Sequence, residues 1–203
     1  MPLIKEGAVA KERWRRLADD EPLPDDGAVL VSLERWQRDE RALLAHAGPL
    51  GVRLKAGQHP EAIAAHVGRL ALVALEFPKF TDGRAYSYAR LLRERYGYKG
   101  ELRAVGQVLR DQLLFMHRCG FDAYEIARAD AAEAWRKALA EISVFYQPMG
   151  DGRAHALFPR PSRPRGGGRV AERATPRSAT RKAAPGYRSE SAIACSEPAP
   201  SGG

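Results

Sequence analysis

The stretch LALVALEF, residues Leu70–Phe77, decides the fold class because it is apolar over almost its whole length. This unbroken pattern is typical of a parallel strand that is covered by other elements on both faces. The residues that follow, FPKFTDGRAYSYARLLRERYG, begin as a polar turn and then place apolar side chains at helical spacing up to Gly97. A glycine at that point is a common helix terminator. The sequence therefore predicts a buried strand, a turn and an amphipathic helix.

The same order of strand and helix occurs four more times along the chain. The other predicted strands are Ala28–Leu33, Gly51–Leu54, Glu101–Val105 and Phe121–Ile126. Alternation of this kind predicts an α/β fold with a mostly parallel sheet of about five βα units. A flavodoxin-like sheet with helices on both faces fits this number of units, and a partial barrel is the alternative.

The two ends of the chain differ from this central α/β domain, which we place at residues 28–150. Residues 1–27 predict a short β arm around Glu6-Gly7, followed by a polar linker. Residues 151–203 contain seven Pro and seven Gly and show little apolar periodicity. We expect this C-terminal tail to be disordered, because it cannot bury enough apolar surface to offset the entropy of ordering.

The net charge of +8 lies mainly in the C-terminal tail. Ten of the 33 Lys and Arg residues lie in 151–203, against four of the 25 Asp and Glu residues. Nucleic acid is therefore an unlikely partner for the folded domain, although binding through the basic tail is an alternative function. The sequence has no membrane span and no signal peptide, so we expect no membrane partner and a cytoplasmic location.

A first candidate site is the turn after Leu70–Phe77, at the edge where parallel strands end and α/β proteins bind ligands. It contains Lys79, Asp82, Gly83, Arg84 and Ser87. Helix capping and turn formation are sufficient reasons for these residues. Cations beside a helix start would also suit an anion, so a small anionic ligand is the functional alternative.

A second group of candidates belongs to the strand Glu101–Val105 and the turn after it. If this strand lies between its sequence neighbours, Arg103 could bridge Glu76 and Glu125, either as a structural network or as the floor of a pocket. The turn and helix that follow add four candidates: Gly106, Arg110, Asp111 and Gln112. Gln112 lies on the apolar stripe of the predicted helix 107–119 and is expected to form hydrogen bonds inward.

Common catalytic and cofactor signatures are missing from the sequence. His, Cys and carboxylate residues show no metal-ligand spacing, so we predict no metal site. Cys119 lies at a helix end and is expected to be a structural thiol. There is no GxGxxG, P-loop or GxSxG motif. Catalytic residues and cofactor remain unassigned, and the sequence does not decide whether the protein is an enzyme.

The stretches FTDGRAYSYARLLRERYGYKGELRAVG and RCGFDAYEI, together with PLIKEG and GAVLVSLERW, resemble an uncharacterised bacterial family. Its members are often labelled as oxidoreductases involved in sulfite reduction, and they tend to be encoded beside sulfite reductase. The resemblance implies an accessory protein or oxidoreductase of assimilatory sulfite reduction, with sulfite reductase or a related reductase as partner. An enzyme that uses a flavin or nicotinamide in its own right is the alternative. The family provides no catalytic residues that could be assigned here.

Overall fold

The computed structural model describes residues 2–143, 145–146 and 149, and these residues form one mixed α/β sheet structure. The strands are β1 (Leu3–Lys5), β2 (Ala8–Ala10), β3 (Arg15–Arg16), β4 (Val29–Ser32), β5 (Leu50–Leu54), β6 (Leu70–Phe77), β7 (Glu101–Gly106) and β8 (Ala123–Glu125). The α-helices are α1 (Leu33–Ala45), α2 (Arg84–Arg90), α3 (Leu113–Arg118) and α4 (Ala131–Ala140). Shorter helical segments are 3₁₀ helices at Pro60–Arg69 and Arg110–Gln112 and a π-helix at Leu91–Arg95. The predicted disordered tail, 151–203, lies outside the described residues.

All eight strands belong to one sheet, in the order β2-β1-β8-β7-β6-β5-β4-β3. Strands β3 to β8 are parallel and follow one another in sequence order, and β1 pairs antiparallel with β2 and β8. The predicted N-terminal ribbon is present as the β1–β2 hairpin, in which Glu6 and Gly7 have positive φ values of 51° and 78°. A tight two-residue hairpin turn of type I′ requires positive φ values at both of its central residues.

The strand order differs from the flavodoxin-like order that the sequence suggested, and the two faces of the sheet explain why. One face, the helix face, packs against all four α-helices and carries most of the apolar core. The opposite face, the inner face, has a small apolar cluster of Leu30, Leu72, Ala74 and Val105 with Trp14. Charged residues occupy much of the remaining inner face, so helices cannot cover it. Right-handed crossovers that all stay on one face produce strands in sequence order.

The sheet curls strongly around its inner face. Arg16 on β3 forms an ion pair with Glu125 on β8, although four strands lie between them. In a flat sheet, five inter-strand spacings would separate β3 and β8 by about 24 Å, which two side chains cannot bridge. The contact therefore requires curvature that brings the two edges of the parallel strands together.

Two of the predicted helical regions differ from expectation. The crossover after β5 is a 3₁₀ helix, Pro60–Arg69, and only Pro60 and Ile63 are buried along it. The predicted helix 107–119 begins as an irregular turn, continues as a 3₁₀ segment and becomes α-helical only at Leu113. None of the helices in the described part of the chain is long and apolar enough to cross a membrane.

Gly106 provides a direct test of the turn that ends β7. Its φ is +93°, and a Cβ atom added there would lie 2.5 Å from the carbonyl oxygen of Phe77. We expect Gly106→Ala to lower the free energy of unfolding by about 1–3 kcal/mol, because the turn must move away from β6. Denaturant unfolding at neutral pH measures this change.

Gly68→Ala is the matched control for this variant. A Cβ atom at Gly68 would meet no atom within 4 Å. Its effect should stay within about 0.5 kcal/mol. Equal stability of the two variants would contradict the geometry of the β7 turn.

Candidate functional site

A buried arginine lies at the centre of the inner face. Arg103 on β7 is 1% exposed. Its Nε and Nη2 atoms donate to Glu101 Oε1 at 3.0 and 2.8 Å, and Nη1 donates to Glu12 Oε2 at 2.6 Å. Nη1 also lies 3.4 Å from Glu125 Oε1. A guanidinium group removed from water requires partners of this kind, because an unpaired buried charge is strongly destabilising.

Two further cations extend this group of charges into a network across the sheet. Lys5 donates to the second carboxylate oxygen of Glu101 at 2.9 Å, and Arg16 pairs with Glu125. The network thus contains Lys5, Arg16 and Arg103 with Glu12, Glu101 and Glu125, three charges of each sign. Arg103 and Glu125 are buried and Glu101 nearly so, whereas Lys5, Arg16 and Glu12 are 43%, 50% and 40% exposed, so the network connects buried charges to the surface.

The chain segment Lys11–Arg16 crosses the inner face and completes this network. Alternate residues point to the sheet: Glu12 bonds Arg103, Trp14 packs near Gly51, and Arg16 pairs with Glu125. Lys11, Arg13 and Arg15 are exposed. The alternation is that of an extended segment, although only Arg15–Arg16 pairs as a strand.

The pKa values of the network residues follow from these contacts. Burial acts to lower the pKa of Arg103, but hydrogen bonds to Glu101 and Glu12 outweigh it and raise that pKa. Burial acts to raise the pKa of Glu12, whereas the N–H of Trp14 and the guanidinium of Arg103 lower it, and the net shift is downward. Both shifts favour the charged pair.

A cavity of about 350 Å³, the carboxyl-end cavity, lies where β3 to β6 end. Its lining residues are Arg16, Leu17, Ala18, Asp19, Leu30, Val31, Ser32, Arg53, Lys55 and Glu76. Arg53 pairs with Glu76 at 3.2 Å, and Lys55 pairs with Glu34 at 2.7 Å. Ser32 caps α1 by accepting a hydrogen bond from the N–H of Arg35. Three cations and a helix start therefore meet at one cavity.

Another cavity of about 580 Å³, the amino-end cavity, lies where the same strands begin. It is lined by Leu3, Lys5, Ala10, Lys11, Arg13, Trp14, Ala28, Pro49, Ala71, Glu101 and Arg103. The two cavities share no lining residue. The Arg103 network lies between them, since Glu125 contacts both Arg103 and Arg16.

The predicted turn after β6 lies at the carboxyl ends of the strands and is organised by its own contacts. Asp82 accepts two hydrogen bonds from the side chain of Arg84, at 3.0 and 2.6 Å, and one from its backbone N–H. These bonds lower the pKa of Asp82 to about 2. Lys79, Gly83, Arg84 and Ser87 are exposed. Asp82 thus stabilises the turn, as the sequence indicated, but the expected helix cap is not formed, since the N-cap of α2 is Gly83 and no side chain caps it.

The residues predicted after β7 surround the same turn. Gln112 is buried, as expected, and its amide contacts the N–H of Leu109 at 3.2 Å and the carbonyl of Phe80 at 3.5 Å. Arg110 pairs with Glu141 at 3.4 Å, and Asp111 is exposed. We call one group of residues the rim: Lys79, Asp82, Gly83, Arg84 and Ser87 of the turn after β6, with Gly106, Arg110, Asp111 and Gln112.

Arg103 is separated from the rim because it points to the inner face and lines the amino-end cavity. The predicted bridge from Arg103 to Glu125 is present, whereas Glu76 pairs with Arg53 instead. Register does not distinguish the two carboxylates, because Glu76 on β6 and Glu125 on β8 both lie two residues beyond the position opposite Arg103. Glu76 instead is held by Arg53 on its other neighbouring strand, β5.

Sequence reasoning identified Arg103 but not the other cations that line the two cavities: Lys5, Lys11, Arg13, Arg16, Arg53 and Lys55. Alternation provided a signal for some of them. In GVRLK, Val52 and Leu54 are buried, so Arg53 and Lys55 fall on the opposite face. The segment KERWRR has the same alternation but lacks the length of a recognisable strand.

Cys119 is 2% exposed, and burial raises the pKa of its thiol to about 11. A thiol of this kind is protonated at neutral pH and is a poor nucleophile. Within the described residues, no cluster of three or more His, Cys, Asp and Glu side chains could hold a metal ion.

A model of the bacterial family of unknown function DUF934 matches residues 51–157, which is more than half of the chain. The chain belongs to this family. The matched part contains Arg53, Lys55 and Arg103, and it leaves out the segment Lys11–Arg16 that covers the inner face. No curated protein matches the chain. In this DUF934 member, residues inside and outside the matched part therefore build each cavity together.

Replacing Arg103 by methionine tests the ion network. The variant leaves three carboxylates close together without the guanidinium, so Arg103→Met should lower the free energy of unfolding by about 3–5 kcal/mol at pH 7. Arg128→Met is the control, because Arg128 forms an exposed pair with Asp130. Denaturant unfolding should show a loss of no more than about 1 kcal/mol for the control.

Acidification should reduce the difference in free energy of unfolding between the wild type and Arg103→Met. In the wild type, the lowered pKa of Glu12 stabilises the fold above the ordinary glutamate pKa of about 4.3, and this contribution is lost as the pH falls further. In the variant, Glu12 lacks the guanidinium that helps to lower its pKa, so less stability is lost as the pH falls below about 4.3. If the difference in free energy of unfolding stays constant over this pH range, the described role of the ion network is wrong.

Proposed function

We propose that the protein binds a small oxyanion such as sulfite in the carboxyl-end cavity, as an accessory protein of sulfite reduction. The proposal combines the resemblance described under sequence analysis with the cations at this cavity. Arg16, Arg53 and Lys55 outnumber the lining carboxylates, Asp19 and Glu76. The cavity also lies where parallel strands end, which is the usual ligand position in α/β folds.

One atom supports this proposal most directly. The Nε–H of Arg53 is buried and has no acceptor among the described residues, while its Nη2 is paired with Glu76. A buried donor without an acceptor is costly, and such groups in native structures usually bond a water or an ion. A small rotation of the Arg53 side chain, which is 40% exposed, would present this N–H to an oxyanion in the cavity. Nearby Lys55 and the amino end of α1 would add favourable potential.

Ligand discrimination follows from the existing ion pairs. Arg53 and Arg16 each use one Nη atom in their ion pairs with Glu76 and Glu125, so other donors of each guanidinium stay available. The attraction by the cations that line the cavity grows with the charge of the ligand. We therefore expect a compact dianion to bind more tightly than a monoanion of similar size.

Calorimetric titration with sodium sulfite tests the site. Arg53→Gln combined with Lys55→Gln removes two positive charges from the cavity, and we expect affinity to fall at least about tenfold, since each charge-assisted bond contributes about 1.5–3 kcal/mol. Both side chains are about half exposed, so the variant should fold normally.

Lys79→Gln combined with Arg84→Gln is the matched control, because it removes the same charge from the rim. This variant should bind sulfite as the wild type does. Loss of binding in the rim variant but not in the cavity variant would place the anion at the turn after β6 and refute the carboxyl-end site.

Membership of the pathway requires a separate experiment in the cell. Deleting the gene should prevent growth on sulfate as sole sulfur source, and the wild-type gene should restore growth. The cavity variant should fail to restore it at equal protein level. Normal growth of the deletion strain would contradict a role in sulfite reduction whether or not the cavity binds anions.

We also propose that the rim is the surface that contacts a reductase partner. Three large apolar residues there are exposed: Phe80 by 53%, Leu109 by 43% and Phe115 by 48%. The hydrogen bonds of Gln107 and Gln112 tie the segments that carry them together. Lys79 and Arg110 lie beside this apolar group in sequence and would suit an acidic partner surface.

A binding assay with sulfite reductase tests this surface. Phe80→Ser combined with Leu109→Ser should weaken association by at least about tenfold, because exposed aromatic and aliphatic anchors dominate such contacts. Val9→Ser combined with Ile142→Ser is the control, since these residues are exposed elsewhere, by 66% and 49%. Equal binding of both variants and wild type would contradict the proposed surface.

A further inference from the structure

The amino-end cavity has a composition different from that of the carboxyl-end cavity, and its function does not depend on the proposal above. Its volume is about 580 Å³, within the range of pockets that bind organic molecules. An inorganic oxyanion would fill only a small part of it. The occupant should therefore have a body larger than sulfite.

The charges at this cavity are mostly positive. Four cations line it, Lys5, Lys11, Arg13 and Arg103, against one carboxylate, Glu101. Glu101 is already bonded by Lys5 and Arg103. Lys11 and Arg13 form no ion pair with any residue that the structure describes. These two side chains are therefore available for an anionic group.

The rest of the cavity wall is apolar and includes an aromatic ring. Leu3, Ala10, Ala28, Pro49 and Ala71 line it together with Trp14. The Trp14 ring is held in place by the sheet, because an added Cβ at Gly51 would lie 3.2 Å from its Cζ3 atom. Trp14 also packs against the inner-face cluster of Leu30, Leu72, Ala74 and Val105. A fixed indole beside small apolar residues favours a flat apolar group.

We propose that the amino-end cavity binds an organic anion with a flat apolar body. The body packs along Trp14 and the wall of Ala28, Pro49 and Ala71. The anionic group binds Lys11 and Arg13 at the open side. Arg103 lies beneath them with its charge balanced by Glu12, Glu101 and Glu125, so the ligand is bound by Lys11 and Arg13.

The order of residues in the chain explains why the indole and the cations of this cavity occur together. Glu12 bonds Arg103 and Trp14 packs on the inner-face cluster, while Lys11 and Arg13, which alternate with them, line the cavity with exposed side chains. The segment that supplies the indole thus also supplies the cations, and the bond between Glu12 and Arg103 fixes its position.

Calorimetric titration of the full chain with 1-naphthalenesulfonate, an aromatic ring with one sulfonate, tests the proposal. Lys11→Gln combined with Arg13→Gln should weaken binding by at least about tenfold. Arg41→Gln combined with Arg136→Gln is the matched control, because both arginines are exposed on other parts of the molecule. The control should bind as the wild type does.

Two comparison ligands distinguish the contribution of the anionic group to affinity from that of the aromatic ring. Neutral 1-naphthalenemethanol should bind at least about tenfold more weakly than the sulfonate in the wild type, since it lacks the anionic group. Sodium sulfate should compete only weakly, because it lacks the ring. Trp14→Leu should weaken binding of the sulfonate. It changes no residue that lines the carboxyl-end cavity.

The proposal is overturned if the sulfonate does not bind, if Lys11→Gln with Arg13→Gln binds it as tightly as the wild type, or if the neutral alcohol binds equally well. Sulfite binding at the carboxyl-end cavity is measured separately. The Arg53→Gln and Lys55→Gln variant should retain the sulfonate, so failure of one proposal leaves the other distinguishable.

Discussion

The burial of one guanidinium group constrains the whole inner face of this protein. Arg103 is almost completely removed from water, so carboxylates must surround it, and they come from β7, β8 and the segment that precedes β3. The ion pair of Glu125 with Arg16 on β3 requires the sheet to curl, and the bond of Glu12 with Arg103 requires the extended segment to cross its concave side. The apolar helix face alone would allow a flatter sheet. The ion network therefore specifies the curvature, even though buried ion pairs add little net stability compared with apolar packing.

The same network explains why the molecule has two separate cavities on one face. The contacts of Arg103, Glu125 and Arg16 fill the middle of the curled sheet and leave space at each end. At the carboxyl ends of the strands the space is smaller and three cations line it, which suits a compact oxyanion. At the amino ends it is larger and has the Trp14 wall, which suits an organic anion. Different residue types at the two ends of the same strands thus favour different ligands.

Much of the fold could be predicted from sequence, because the parallel strands and amphipathic helices have clear periodicities. The position of β7 between β6 and β8 and the inward Gln112 were also predictable. The strand order was not, since it depends on which face remains charged, and this required the combined register of several strands. The cations of the cavities were missed for a related reason: Arg53 reaches its cavity only through the curl, and Lys11–Arg16 contains just two strand residues. Family membership rests on residues 51–157 and names no ligand.

The central claim is that Glu12, through Arg103, holds the segment Lys11–Arg16 across the inner face. Amide hydrogen exchange in Glu12→Gln measures this most directly. The N–H groups of Arg15 and Leu17 bond the carbonyls of Ala28 and Leu30 at 2.8 and 3.0 Å, and they report opening of the segment. We expect these two amides to exchange at least about fivefold faster in the variant than in the wild type, and the amides of β6 to exchange at the same rate in both. Unchanged exchange at Arg15 and Leu17 would contradict it.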